Sequence, residues 1–169
     1  MDQSLKIQQE IGDKSGEGTT LNNISLIHKA RGDYQTALKY LEQSLKIRQE
    51  IGDKSGEGAM LNNISQIYKA QGDYQTTLKY LEQSLKIWQE IGDIAGSCIT
   101  LCNIGANYYQ NNKKDKAMQT WLEVYQTAKA MNLTQALEAL SNLAPKLNMP
   151  EGLEGWETLA QQMAQQIKK

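Results

Sequence analysis

The sequence predicts an all-α protein of antiparallel helix-turn-helix repeats stacked on one another. Three observations predict it: a forty-residue block written nearly twice, apolar residues at helical spacing inside each block, and a Gly-Asp pair at the junctions. Residues 11–50 recur as 51–90, differing only at Thr19/Ala59, Thr20/Met60, Leu26/Gln66, His28/Tyr68, Arg31/Gln71, Ala37/Thr77 and Arg48/Trp88. A third copy begins at Ile91 and keeps the apolar spacing while losing most of the surface identity.

Taken in order, residues 1–13 read as a half repeat, because residues 2–13 match the tail of a second helix. The chain is therefore expected to be a fragment of a longer array. Residues 14–53 and 54–93 are full repeats, 94–132 a divergent one, and 133–169 a degenerate capping helix pair, the whole of 1–169 forming a single array. In the first half of a repeat the apolar stripe is Leu21, Ile24, Ile27 and His28; in the second it is Tyr34, Ala37, Leu38, Leu41 and Leu45. Gly32 and Gly72 suit the left-handed residue that ends a helix, and Asp33 and Asp73 suit the N-cap of the next. Gly12-Asp13, Gly52-Asp53 and Gly92-Asp93 repeat that stop and start between repeats. Near the C-terminus, Pro150 is placed to open a last helix carrying the stripe Leu153, Trp156, Ala160, Met163 and Ile167.

Composition narrows function. Eighteen basic residues against nineteen acidic ones give no field for a phosphate backbone, so nucleic acid is not expected as a partner. Nowhere do eighteen apolar residues run together, and the start lacks a signal-peptide pattern, so a soluble cytoplasmic protein without membrane attachment is expected. Cys98 and Cys102 lie four apart on one helix face, geometry that suits two reduced thiols. With His28 the sole histidine, in another repeat, no metal site or cofactor is expected.

Small residues at Ser25, Ser65 and Gly105 are each followed three positions on by His28, Tyr68 or Tyr108. The second helix carries Tyr34, Ala37, Leu41 and Ser44, repeated as Tyr74, Thr77, Leu81 and Ser84. Over residues 2–131 this resembles the tetratricopeptide repeat (TPR) family in its forty-residue form, as in kinesin light chains and the Leu-Gly-Asn-repeat regulators. The third copy departs from it with Asn112 for the glycine and Lys114 for the tyrosine. The resemblance implies a right-handed superhelical TPR solenoid that binds other proteins and is not an enzyme.

In such a solenoid the first helix of each pair lines the concave side. With Leu21, Ile24 and His28 given to packing, the groove positions are Asn22, Asn23, Leu26, Lys29 and Ala30, then Asn62, Asn63, Gln66, Lys69 and Ala70. The third repeat offers Cys102, Asn103, Ala106, Tyr109 and Gln110, and the degenerate unit adds Asn142. An asparagine amide offers donors and an acceptor together, so Asn23, Asn63, Asn103 and Asn142 suit the backbone of an extended peptide. The resemblance implies ligand-backbone contact for Asn23, Asn63 and Asn103. The bland alternative is that these asparagines pair with a neighbouring helix. Lys29 and Lys69 suit acidic side chains, against the alternative of plain solvated lysines.

Catalysis finds no constellation. His28 stands where its sister repeats place Tyr68 and Tyr108, and GDKSGEG reads as a turn between helices, lacking P-loop spacing and a preceding strand. Trp121 is expected to pack at the Leu41 and Leu81 position, and Trp88, in place of Arg48, to be partly exposed. The expected partner is a protein or peptide with an extended or acidic segment. The rival expectation is a homo-oligomer joined through the array ends, with Leu5, Ile7 and Ile11 exposed at the N-terminal end.

Overall fold

Most helices begin and end at the Gly-Asp junctions the sequence marks. A computed structural model describes residues 3–167, with side chains through Gln165. Asp2 of the half repeat and the Ile167 side chain of the last stripe lie outside the described residues. The chain divides into two compact units, Met1–Gly92 and Asp93–Lys169. The first holds α1 (Gln3–Ile11), α2 (Lys14–Ala30), α3 (Tyr34–Glu50), α4 (Lys54–Ala70) and α5 (Tyr74–Glu90). The second holds α6 (Ile94–Gln110), α7 (Lys114–Ala130), α8 (Thr134–Leu143), a 3-10 turn (Ala144–Leu147) and α9 (Glu154–Ile167).

The α2–α3 junction shows how the boundaries arise. Gly32 adopts φ +78, a conformation that strains a residue with a Cβ, and Asp33 then accepts a hydrogen bond from the Thr36 N–H at 3.1 Å. Asp13, Asp53, Asp73 and Asp93 cap their helices the same way. In the second unit asparagine does the work of glycine: Asn112 and Asn132 sit at φ 56 and 53. The following Lys113 and Leu133 provide no side-chain cap.

Two boundaries differ from expectation. GDKSGEG is helix from Lys14 onward, because Asp13 caps Gly16 and Glu17 is held by Gln9 and Lys14, each at 2.9 Å. Only Gly12 and Asp13 are left to turn the chain. The last helix begins at Glu154, after the turn at 151–153, so Pro150 precedes it without opening it.

In the first unit Ala37 and Leu41 of α3 pack with Met60, Ile64 and Ile67 of α4, while Leu5, Leu21 and Ile47 join α1, α2 and α3. Leu5 is therefore buried at 5% exposure, against the expectation that it lies open; Ile7 and Ile11 are exposed at 49% and 71%. Trp88 is also buried, at 7%, because its indole lies over Gly58: a Cβ there would come within 2.9 Å of the ring. In the second unit Trp121 and Trp156 meet edge to face with centroids 6.4 Å apart. Their indole N–H groups donate to the carbonyls of Cys102 (3.1 Å) and Leu140 (2.9 Å). Cys98 and Cys102 are free thiols, and burial pushes the Cys102 pKa up to about 12, far from a reactive thiolate.

Candidate peptide-binding face

Each predicted groove residue of the first unit lies on α2 or α4. These helices run side by side, tied by a hydrogen bond from Asn63 Nδ2 to Asn22 Oδ1 at 2.9 Å. One donor of Asn63 is thereby spent inside the protein. Its Oδ1 and second donor N–H remain, and Asn23 is exposed. Asn22, Asn62, Asn63 and Gln66 are half-buried, and Leu26 is 44% exposed. For Asn63 this is the pairing with a neighbouring helix that the sequence offered as the alternative, with Asn22 as the partner: the two are 41 residues apart, one more than the period, so the link runs diagonally between repeats.

Lys29 and Lys69 occupy matching places on these two helices, and both are half-buried. Burial first, and the charge of Lys29 second, hold the Lys69 ammonium below the ordinary lysine pKa. Neither lysine has a carboxylate within ion-pair distance among the described residues. Two neighbouring cations raise the potential there, which suits an incoming anion.

His28 stacks on Tyr40 with centroids 5.6 Å apart, as Tyr68 stacks on Tyr80 at 5.5 Å, and its Nδ1 lies 3.0 Å from Asp33 Oδ2. It thus joins the end of α2 to the start of α3. The second unit carries its own predicted positions. Cys102, Asn103, Ala106 and Tyr109 lie half-buried on α6, and Asn142 is exposed on α8. Tyr109 rests against Trp121 at 5.8 Å between centroids, with the Lys114 ammonium 5.9 Å from its ring, so part of its surface is committed to packing. No helix among the described residues is long and apolar enough to cross a membrane.

The chain is similar in fold to several solved structures. BtubC (BKLC) from P. vanneervenii is 24% identical over 76% of this chain and 54% of its own, with a TM-score of 0.68. A signal transduction ATPase with numerous domains and a tetratricopeptide repeat sensor, PH0952 from Pyrococcus horikoshii, is 22% identical over 96% of this chain and 26% of its own, TM-score 0.72. Kinesin-light-chain-type nearly identical TPR-like repeats from Podosopora anserina are 19% identical over 75% of this chain and 63% of their own, TM-score 0.61. The chain thus spans less than two-thirds of each. No curated protein matches it. The family model for the tetratricopeptide repeat matches residues 1–50 and 56–130, most of the chain. With the repeated helix pairs above, this match makes the chain a member of the tetratricopeptide repeat family.

Proposed function

We propose that the α2–α4 face of the first unit binds an extended, acidic segment of a partner protein. Tetratricopeptide repeats are generally protein–protein interaction scaffolds, and the supporting observation here is the uncompensated pair Lys29 and Lys69 beside the amides of Asn23 and Asn63. The asparagines offer hydrogen bonds to a peptide backbone whatever its sequence, and the lysines, nearly two helical turns further along, favour carboxylate side chains. His28 serves packing and the α2–α3 turn, and a non-catalytic role follows from that reading. The α6 positions, Cys102, Asn103, Ala106 and Tyr109, are proposed as a second, separately tested contact surface.

Titration of the chain with a Glu-rich decapeptide and its Gln-rich counterpart tests the proposal. Binding should favour the acidic peptide and weaken with added salt. It should fall when Lys29→Ala and Lys69→Ala are combined, a change that leaves the Asn22–Asn63 bond in place. Equal binding of both peptides, or indifference to the lysine changes, would rule this face out. Self-association through the N-terminal end has a narrower basis, since Leu5 is buried and only Ile7, Ile11 and part of α2 stay open.

A further inference from the structure

The repeat pattern breaks after α8, and the break leaves a cleft within the second unit. α8 stops after ten residues, where α2, α4 and α6 each run seventeen. The chain turns through Ala144–Leu147 and returns as α9 after the turn at 151–153. Two contacts in the first turn of α9 anchor it. The Trp156 indole donates to the Leu140 carbonyl of α8 at 2.9 Å, and Glu157 accepts from the Tyr125 hydroxyl and the Lys129 ammonium of α7. Between the three helices lies a cavity of about 540 Å³, inside the range of small-molecule sites.

The lining is mixed, and its charges do not balance. Leu137 and Leu153 supply aliphatic surface and Tyr125 a ring, while one ammonium, Lys129, meets two carboxylates, Glu154 and Glu157. Lys129 is spent on Glu157 and on the Tyr125 face, 5.7 Å from the ring centroid. The pairing with Glu157 first, and the Tyr125 hydroxyl second, raises the Lys129 pKa; the same two partners lower that of Glu157. Glu154 has no cation within ion-pair distance among the described residues. The cavity therefore joins an uncompensated carboxylate to aliphatic surface and to a ring that already hosts an ammonium. A metal ion matches this poorly. The described residues hold no group of three or more histidine, cysteine or acidic side chains that could ligate one, and leucine replaces none of its water shell. We propose that the cleft binds a small aliphatic ammonium ion, with its charged end on Glu154 and its alkyl chain along Leu137 and Leu153. No residue of the α2–α4 face takes part, so the two sites stand or fall separately.

The probe is n-pentylammonium chloride, titrated into the whole isotope-labelled chain and followed by amide chemical shifts. Saturable shifts are expected in α9 and the C-terminal half of α7. Pentanol and pentanoate carry the same alkyl chain without the positive charge, and should bind at least about tenfold more weakly. Glu154→Gln should weaken the amine at least about fivefold; Glu154 is exposed, so helical circular dichroism should not change. Lys129→Ala removes the competing cation, so affinity should rise about threefold or more, a gain that a merely structural lysine would not give. Lys29→Ala with Lys69→Ala should leave binding unchanged. No shift at about 20 mM amine, equal binding of pentanol, weaker binding by the Lys129→Ala chain, or the same shifts with magnesium chloride overturns the proposal.

Discussion

The repeats at 11–50 and 51–90 share all but seven residues, yet the same isoleucine is 52% exposed at position 27 and fully buried at 67. The helices that carry the two are the same length and capped the same way. They differ at four positions, Thr19/Ala59, Thr20/Met60, Leu26/Gln66 and His28/Tyr68, and in their neighbour: Ala37 and Leu41 in the first half of the seventeen-residue α3 pack on α4, whereas α1 is nine residues long among the described residues. Burial in an array is thus set by the adjoining unit as much as by a repeat's own sequence, which is the nearest-neighbour logic of repeat proteins. Paired truncations measure this directly. Ile67→Ala should cost about 3 kcal/mol by urea denaturation, transfer and cavity together, and Ile27→Ala less than about 1 kcal/mol. Equal costs would mean that the first repeat is packed in solution as tightly as the second.

A second contrast concerns how the first and second helices of a repeat share volume. Glycine at position 18 faces Arg48, whose guanidinium reaches Asp53 at 2.9 Å and Thr19 at 2.7 Å. Glycine at position 58 faces Trp88, and Ala59 replaces the threonine that served the arginine. Two of the seven substitutions are therefore one coupled change. In the third repeat the same two positions are Cys98 and Ala128, both buried in one cluster, so the bulk has moved from the second helix to the first. Gly105 and Trp121 make the opposite trade against Ser25 and Leu41: a Cβ on Gly105 would overlap the indole. Alanine substitution sharpens the comparison. Gly58→Ala should destabilise by about 1–2 kcal/mol, since a buried ring must yield. Gly18→Ala should fall within about 0.5 kcal/mol of neutral, because the gain in helix propensity, about 1 kcal/mol, offsets a small shift of Arg48. Identical effects at the two glycines would show that the ring and the guanidinium yield equally.

These contrasts also mark what the sequence discloses. The Gly-Asp junctions, the helix limits they set and the packing of Trp121 are legible because period and capping chemistry act over a few residues. The burial of Trp88 is not, since it depends on Gly58, thirty residues away, leaving room for a ring. The helical state of KSGEG is hidden by its two glycines and depends on Glu17 being held from α1. For the candidate site, the period finds the positions on α2, α4 and α6, but not which amides are already spent. Asn22 and Asn63 find each other only once two helices lie side by side.

Glu17 and Glu57 give the smallest and most specific test of the repeat comparison. Glu17 accepts from Gln9 and Lys14, and these bonds lower its carboxyl pKa below the ordinary value. At Glu57 burial pushes the carboxyl up, but Lys54 at 2.8 Å and Gln49 at 2.9 Å more than offset it, again leaving it low. The third repeat has Ser97 at this place. A carboxylate whose folded pKa is depressed adds stability above its unfolded pKa, about 4.3, and that contribution disappears as pH falls through the folded value. Glu17→Gln with Glu57→Gln should therefore lower stability modestly at pH 7, by about 1 kcal/mol or less, and flatten the loss of stability that the native chain shows below about pH 4.3. The remaining acid response belongs to groups that both proteins keep, including Asp33 and Asp73, whose pKa values are lowered first by their Thr36 and Thr76 partners. If native and variant lose stability in parallel between pH 5 and 3, about the range where carboxylates titrate, the two glutamates bind protons equally in folded and unfolded chains. Their hydrogen bonds would then be a geometric lock on the start of α2 and α4 and not an electrostatic one.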